Sequence, residues 1–213
     1  MIITFGCIKG GVGKSTLAFN VAVAWSHDAE TLVIDADKQG TLSDFAQIRA
    51  DNHEGDAGFT SIRSHGNEVR SQVKVMQSKF DRIIIDAGGK DSIALRIAYT
   101  MSDVVVIPIP PRSAEVLAVP ETIELLEEAR AFNEKLRPCF VVSQADAQGT
   151  DNDDLIKSLK EDYPDIPVCS TVLPLRKIWS AQIAKGRSVM EPPKNSAVRA
   201  EFAEFLKFIE ELG

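Results

Sequence analysis

The segment IKGGVGKST, residues 8–16, constrains the fold of this chain more than any other, because it combines three glycines with a lysine and two hydroxyl side chains. An apolar run, Ile2–Ile8, precedes its glycines and an amphipathic run, Lys14–Ser26, follows them. Glycines allow a tight turn that brings backbone N–H groups against phosphate oxygens, and the N-terminus of the next helix favours an anion. The segment therefore predicts a strand, a phosphate-binding loop and a helix, in that order.

The residues of this loop have separate expected roles toward ATP. Lys14 is placed to bind the β- and γ-phosphates, and the Ser15 hydroxyl is placed to bind Mg²⁺. The other loop residues expected to contact ATP are Gly10, Gly11, Val12, Gly13 and Thr16. A purely structural glycine-rich turn is the alternative, but it does not explain why a lysine and a hydroxyl stand at the positions that a phosphate loop requires.

Short apolar runs rich in Val and Ile alternate with amphipathic runs along the whole chain. The predicted strands are Ile2–Ile8, Thr31–Ile34, Phe59–Ile62, Arg82–Ile85, Asp103–Ile109, Cys139–Ser143 and Val168–Val172. The predicted helices are Lys14–Ser26, Leu42–Ala50, Glu68–Lys79, Ser92–Thr100, Ala114–Asn133, Asn152–Asp162, Lys177–Lys185 and Ala197–Leu212. Because several strands are apolar on both faces, they indicate a parallel sheet covered on both sides. We expect one α/β domain over residues 1–213, with a doubly wound, mostly parallel sheet, helices on both faces, and no helix-turn-helix domain before the first strand.

Aspartates follow two predicted strands at the points where those strands end. Asp35 and Asp37 end the segment TLVIDAD, and Asp86 ends RIIID. Because ligands of such sheets bind at the carboxyl ends of the strands, these carboxylates are expected near the phosphate loop. Asp86 is expected to hold Mg²⁺ through water, and Gly88 and Gly89 to form a mobile backbone that senses the γ-phosphate. For Asp35 and Asp37, an ordinary polar exit from a strand is the alternative.

Composition places the chain among globular proteins, with 44% hydrophobic and 26% charged residues. Its three cysteines, Cys7, Cys139 and Cys169, lie in apolar runs, and neither their number nor their spacing fits a disulfide framework or a zinc site. We expect them to be buried thiols in a reducing cytosol. No run reaches the ~18 apolar residues that a membrane span needs, so a cytoplasmic protein is expected.

The C-terminal third is locally basic, although the formal net charge of the chain is −7. Between Arg176 and Lys207, seven basic residues, Lys194 among them, stand against three acidic ones. Clustered lysines and arginines attract the DNA backbone without reading its sequence. The residues expected to form such a face are Lys177, Lys185, Arg187 and Arg199. Solvated helix charges are the alternative.

The loop sequence KGGVGKST resembles the deviant Walker A box of the ParA/MinD family of ATPases. In that family the first lysine of the box, here Lys9, reaches across a nucleotide-sandwich dimer to the ATP of the partner. The resemblance implies catalytic roles for Lys9 and Lys14, and it extends in a weaker form over essentially the whole chain.

A second segment resembles the D-x-D-P-Q-G motif of the same family. It is matched by Asp35, Asp37, Gln39 and Gly40, while Lys38 replaces the usual proline. In the family the second aspartate lies near the attacking water and the metal shell, so the resemblance implies a catalytic and metal-binding role for Asp37. Asp35 is expected to hold the end of the strand and the water network of the metal.

The family usually contacts adenine from the loop after a late strand. The resemblance therefore implies adenine contacts at Pro174, Leu175 and Arg176, while Ser143 and Gln144 could also face the base. A plain surface loop is the alternative for this segment.

Other branches of the family fit less well. The nitrogenase iron protein needs cysteines that are missing between Asp86 and Cys139, and related tyrosine kinases carry tyrosine-rich tails, whereas this chain has only two tyrosines. MinD-type proteins end in a basic membrane helix, but the polar face of Ala197–Leu212 is mostly glutamate. We expect that helix to dock on the sheet, with no membrane contact. Short ParF-like partition ATPases are most similar in length and layout.

The resemblance implies a slow, partner-stimulated Mg²⁺-dependent ATPase that forms an ATP-bound homodimer, binds nonspecific DNA and segregates a plasmid, associating with the nucleoid in the ATP state. A centromere-binding, ParB-like protein or a cargo adaptor would be its partner, with Ala114–Asn133 as the expected docking helix. Two alternatives stay open: the same switch positioning a protein cargo, and a metabolic ATP-dependent synthetase of related fold, such as dethiobiotin synthetase. The second alternative has no evident use for Lys9.

Overall fold

Parallel strands and helices alternate throughout the computed structural model, which describes residues 1–111, 116–146, 151–191 and 196–213. The strands are β1 Ile2–Phe5, β2 Thr31–Asp35, β3 Thr60–Arg63, β4 Arg82–Asp86, β5 Val104–Ile109, β6 Arg137–Ala145 and β7 Leu173–Pro174. The helices are α1 Lys14–Trp25, α2 Thr41–Asn52, α3 Glu68–Met76, α4 Ile93–Met101, α5 Val119–Arg130, α6 Asp151–Asp162, α7 Lys177–Ile183 and α8 Ala197–Leu212.

The seven strands form one sheet in the order β3-β2-β4-β1-β5-β6-β7, and every neighbouring pair is parallel. After β1 the chain builds β2, β3 and β4 on one side of β1, and then continues from β5 to β7 on the other side. Ligands of open α/β sheets bind where the winding direction reverses in this way. The predicted doubly wound α/β fold is confirmed, and β1 with its following loop lies at the reversal.

Successive residues of the central strands point to opposite faces of the sheet, and both faces are apolar. In β5, Val104 and Val106 pack into one core cluster, while Val105 and Ile107 pack into another. The first cluster lies under α1, α2, α7 and α8; the opposite face is covered by α3 to α6. The three cysteines are buried thiols, as predicted.

The last helix, α8, docks on the sheet as predicted. Its apolar positions are buried in the main core: Phe202, Phe205, Leu206 and Ile209. No helix in the described part of the chain combines the length and the apolar composition needed to span a membrane.

The prediction of the last strand was wrong. Instead of Val168–Val172, only the two residues of β7 pair with β6, and Val168 forms a single isolated bridge with Phe140. Between the two pairings the chain advances three residues along β6, from Phe140 to Ser143, but five along the edge, from Val168 to Leu173. The edge chain therefore has extra residues that cannot pair in register, and it leaves the sheet before it returns as β7.

Most element bounds differ from the predictions by one to three residues, and two of the differences concern the phosphate loop and the predicted docking helix. The first strand ends at Phe5 rather than Ile8, because the following residues already belong to the phosphate loop. The predicted helix Ala114–Asn133 begins at Val119 and ends at Arg130, and the beginning of the prediction falls on residues 112–115, outside the described residues.

Candidate nucleotide-binding site

The loop between β1 and α1 has the backbone of an anion site. Gly11 and Gly13 have φ values of 77° and 99°, which residues with a Cβ rarely adopt. Helix α1 begins at Lys14, and no side-chain hydrogen bond caps its first turn. Its N–H groups therefore point into the loop, where an anion is favoured by the helix dipole. The Lys14 side chain is only 6% exposed, and its Nζ donates to the carbonyl of Lys9 at 2.5 Å.

Two side chains at the end of β6 brace this loop. The Ser143 Oγ donates to the carbonyl of Val12 at 2.9 Å, and the Gln144 Nε2 donates to the carbonyl of Gly11 at 2.5 Å. From the sequence, Ser143 and Gln144 are predicted only as residues that could face the base. The structure adds that they hold the loop backbone, a role that sequence spacing does not indicate.

Asp35 joins the end of β2 to the start of α2. Its carboxylate is fully buried and accepts hydrogen bonds from the backbone N–H groups of Asp37 and Ser43, at 3.2 and 2.8 Å. These bonds fix the loop between the two elements and the first turn of α2. The strand-end role expected for Asp35 agrees with this geometry.

Three segments meet around the loop: the phosphate loop itself, the β2–α2 segment and the β4–α4 segment. A Cβ on Gly89 would lie 2.5 Å from the backbone N and Cα of Gly10, and a Cβ on Gly88 would lie 3.2 Å from the Cγ of Asp37. The two glycines were expected to provide mobility. Neither has a positive φ, and the structure shows instead that they allow the close approach of Gly10 and Asp37.

Asp86, at the end of β4, is a buried acid with unsatisfied oxygens. Burial raises its pKa from 3.8 to about 7, the neighbouring Ser15 hydroxyl opposes the shift, and the charge of Asp35 adds to it. Neither carboxylate oxygen accepts a well-aligned hydrogen bond from a described residue. A buried carboxylate of this kind, beside a hydroxyl at the start of α1, fits a Mg²⁺ ion and its water shell.

An apolar cavity of about 400 Å³ opens beside the loop. Gly13 and Thr16 form one wall and α7 forms another, and Pro174, Leu175 and Arg176, for which adenine contacts were predicted, also line it. Several further apolar residues that were not predicted line it too: Phe45, Ile48, Leu173, Trp179 and Ile183. Leu173 lies on β7 and the other four lie on α2 and α7, so in the sequence they look like ordinary core positions. Its size and lining suit a planar aromatic ligand.

Arg176 is not a free cation in this cavity. Its guanidinium pairs with both carboxylate oxygens of Glu201, and the Nη2–Oε1 distance is 2.8 Å. This ion pair raises the pKa of Arg176 and joins the cavity wall to α8. The side chain is therefore available to a base mainly through its stacking face.

The basic residues predicted to bind DNA divide into two groups. Three of them are exposed and form no ion pair with a described residue: Lys177, Lys185 and Arg187. Arg199 is half-buried, and its Nη1 donates to the carbonyl of Glu191 at 2.7 Å, so this guanidinium serves the fold rather than an open face. Lys194 lies outside the described residues.

Known proteins share both the sequence pattern and the fold. The carboxysome-distribution maintenance protein A of Halothiobacillus neapolitanus is 24% identical over 185 residues, which cover 86% of this chain and 84% of that protein. An ATP complex of Cyanothece McdA superposes with a TM-score of 0.81 at 19% identity, covering 100% of this chain and 96% of the other.

A putative plasmid partition protein of Borrelia burgdorferi bound to AMPPNP superposes with a TM-score of 0.74 at 20% identity, covering 99% of this chain and 98% of the other. Residues 3–189 match the family described as the CobQ/CobB/MinD/ParA nucleotide-binding domain. This chain belongs to that family, and it carries the ParA/MinD form of the phosphate loop.

Proposed function

We propose that this protein is a ParA-type ATPase that binds ATP with Mg²⁺, dimerises in the ATP state and releases its dimer partner after hydrolysis. One observation carries the proposal: three segments with the residues expected for phosphate, metal and water meet at one edge of the sheet. Gly89 touches Gly10 of the phosphate loop, Asp37 lies against Gly88, and Asp86 lies beside Ser15. No such convergence is needed for a structural glycine turn.

The reaction proposed here is attack of water on the γ-phosphorus of ATP, which breaks its bond to the bridging oxygen and yields ADP and phosphate. Lys14 leaves the carbonyl of Lys9 and binds the β- and γ-phosphates, and Asp37 orients the attacking water. Ser15 would hold Mg²⁺ directly and Asp86 through water, and the ion would neutralise charge on the phosphates.

Lys9 supplies a charge to the nucleotide of a second copy in this proposal. Its carbonyl faces Lys14 inside the loop, while its residue is half-exposed at the mouth of the site. An ammonium supplied in trans stabilises transition-state charge in the way that an arginine finger does. Hydrolysis would therefore require the ATP-bound dimer.

The ATP-bound dimer would bind DNA through exposed basic residues around α7. Lys177, Lys185 and Arg187 carry positive charge on the layer that also lines the base cavity, in a chain of net charge −7. The preferred cargo is plasmid DNA, recruited by a ParB-like partner that stimulates hydrolysis. Leu117 and Phe132, 80% and 83% exposed, flank α5 and are suited to a protein partner there.

A protein cargo is the second candidate. The relative from Halothiobacillus neapolitanus is named for the maintenance of carboxysome distribution, and the similar structure from Cyanothece is that of McdA. The same ATP switch and DNA-binding surface would serve either cargo, and only the adaptor would differ. A metabolic synthetase is less favoured, because Lys9 would have no partner nucleotide to serve.

The test is binding to a random-sequence DNA duplex, measured by fluorescence anisotropy with ATP–Mg²⁺ and with ADP–Mg²⁺. We expect salt-sensitive binding that requires ATP and is lost in Lys9→Ala, while Lys14→Ala fails to bind ATP at all. An adaptor pull-down using the genomic neighbours then separates plasmid from protein cargo. ATP hydrolysis without DNA binding in any state would contradict the DNA part and leave a nucleotide-dependent protein scaffold.

A further inference from the structure

The loop that follows α7 presents two exposed cations from a tightly fixed backbone. Lys185 and Arg187 flank Gly186, whose φ is 66°. A Cβ on Gly186 would lie 2.7 Å from the Cα of Arg49 and 2.9 Å from the carbonyl O of Ile48. The backbone between the two cations therefore rests directly on helix α2.

Arg49 holds this contact from a buried position. Its Nη1 donates to the carbonyl of Gly186 at 2.7 Å, and its Nε donates to the carbonyl of Ala57 at 2.7 Å. The guanidinium also pairs with both carboxylate oxygens of Glu191, at 3.1 and 3.2 Å, and its side chain is only 7% exposed. Glu191 in turn accepts from the N–H of Ser188 at 2.7 Å. The segment 184–191, called the basic loop below, is therefore held at Gly186 and at Glu191.

A second anchor connects the basic loop to the helix of the phosphate loop. The buried Asn20 accepts hydrogen bonds from the hydroxyl of Ser188 and the N–H of Val189, at 2.9 and 2.8 Å. Its amide donates to the carbonyl of Thr16 at 2.8 Å, one turn closer to the phosphates. The wall of the base cavity also ends at this loop, because Ile183 and Ala184 line the cavity.

Helix α2 connects the two regions. Its first turn is held by Asp35, which also fixes the backbone of Asp37 beside the site, and its last turn carries Arg49. The helix has 12 residues, so it spans about 18 Å. A shift of the β2–α2 segment on nucleotide binding therefore moves the residue that holds the basic loop.

From these contacts we infer that Arg49 is a positioning residue, which through Glu191 and Gly186 makes the placement of Lys185 and Arg187 against DNA phosphates depend on the nucleotide bound. The inference rests on the proposed DNA binding for its function, but the mechanical link itself is independent of DNA.

Hydrogen–deuterium exchange on the full-length protein, with ADP–Mg²⁺ and with ATP–Mg²⁺, measures the link directly. We expect ATP to change the exchange of peptides covering both 41–46 and 184–191 in the wild type. In Glu191→Gln, and in the double variant Arg49→Met with Glu191→Met, 41–46 should still respond while 184–191 no longer does. Arg96→Met is the matched control, because it removes an ion pair with Asp91 on the opposite helix layer.

DNA binding supplies the functional readout. We expect the variants to bind ATP within about twofold of the wild type, while the ratio of DNA affinities in ATP and ADP falls from about tenfold or more to about twofold. Glu191→Gln leaves the buried Arg49 guanidinium without its counter-charge, whereas the double Met variant removes both charges, so the double variant guards against simple unfolding.

Three results would overturn the inference: a basic loop in the wild type that ignores ATP, variants whose 184–191 peptides respond like the wild type, or an equal loss in Arg96→Met. Loss of the loop response in the variants, with no DNA binding by the wild type in any state, would support the link and reject the proposed DNA function.

Discussion

At the scale of single residues, the two lysines of the phosphate loop differ in environment although they share one short segment. Lys14 is 6% exposed and turned onto the carbonyl of Lys9, while Lys9 is half-exposed at the mouth of the site. Among the described residues, the buried ammonium of Lys14 has only weak local partners besides that carbonyl, with the Cys7 Sγ at 3.9 Å, so phosphate oxygens can replace them. The half-exposed ammonium of Lys9 can extend away from its own loop, as the proposed role toward a second copy requires.

Asp37→Ala should separate nucleotide binding from hydrolysis. The Asp37 carboxylate lies against Gly88 and accepts a hydrogen bond from the N–H of Gln39, so it does not hold the phosphate loop in place. The affinity for ATP should therefore change by less than about threefold in Asp37→Ala. Loss of the carboxylate that orients water should lower the single-turnover rate at least about 100-fold. A phosphate-release assay measures the rate and mant-ATP titration measures the affinity. Asp28→Ala, in the exposed turn after α1, is the control. A normal rate in Asp37→Ala would remove this residue from the mechanism.

Asp86→Asn should stabilise the protein when metal and nucleotide are absent. The pKa of Asp86 is raised from 3.8 to about 7, so the folded state favours its protonated form and loses stability as the pH rises through this window. In EDTA at pH 8 the variant should therefore be more stable than the wild type, by up to about 4 kcal/mol, and the difference should vanish toward pH 4. Urea unfolding at pH 8, 6 and 4 checks this, and a difference that does not vary with pH would contradict it.

At the scale of elements, the site depends on contacts between loops that follow different strands. The segment after β4 touches the phosphate loop through Gly89, and the segment after β2 touches the segment after β4 where Asp37 lies against Gly88. Each loop is short and anchored at both ends, so a displacement in one is passed to its neighbour.

Gly89→Ala should disturb the phosphate loop, whereas Gly88→Ala should not. A Cβ on Gly89 meets the backbone of Gly10 at 2.5 Å, but one on Gly88 meets only the Asp37 side chain at 3.2 Å. Overpacking against backbone should cost about 1–3 kcal/mol of unfolding free energy and weaken ATP binding. Thermal unfolding and mant-ATP titration of the pair measure both effects, and equal behaviour of the two variants would show that the contact is absent in solution.

At the scale of the whole molecule, the winding of the sheet brings β1, β2 and β4 side by side although β3 intervenes in the chain. The carboxyl ends of these strands therefore form one edge, with the base cavity beyond it toward β6 and β7. In the proposed dimer, a second copy would face this edge and complete each site.

Mixing two inactive variants should restore hydrolysis if Lys9 acts across the dimer. In a mixed dimer, the subunit with Lys9→Ala keeps its own Asp37 and receives Lys9 from the subunit with Asp37→Ala. If subunits exchange freely and pair at random, about half of the dimers in an equimolar mixture are mixed, and each mixed dimer has one competent site of its two. The mixture should therefore recover about a quarter of the wild-type single-turnover rate. The control mixture of Asp37→Ala with Lys14→Ala offers no complete site with bound ATP. No recovery in the first mixture would place Lys9 within its own subunit.

Much of this protein was determined by local sequence. Alternating apolar strands and amphipathic helices predict the parallel sheet, the bounds of α8 match the prediction, and the phosphate loop with Asp35, Asp37 and Asp86 is legible without coordinates. These features share a cause, because side-chain periodicity, glycine φ preferences and strand-end carboxylates are properties of short segments.

Only the tertiary structure decided which distant residues act together. Three features join segments that are far apart in the chain. Ser143 and Gln144 brace the phosphate loop, α2 and α7 together line the apolar cavity, and Arg49 pairs with Glu191. Residue spacing likewise did not predict that β7 has only two residues, or that the guanidinium groups of Arg176 and Arg199 are hydrogen-bonded within the fold. These contacts between distant segments depend on how the helices pack on the sheet. Such packing produces no periodic pattern in a single sequence, so it could not be predicted from the sequence.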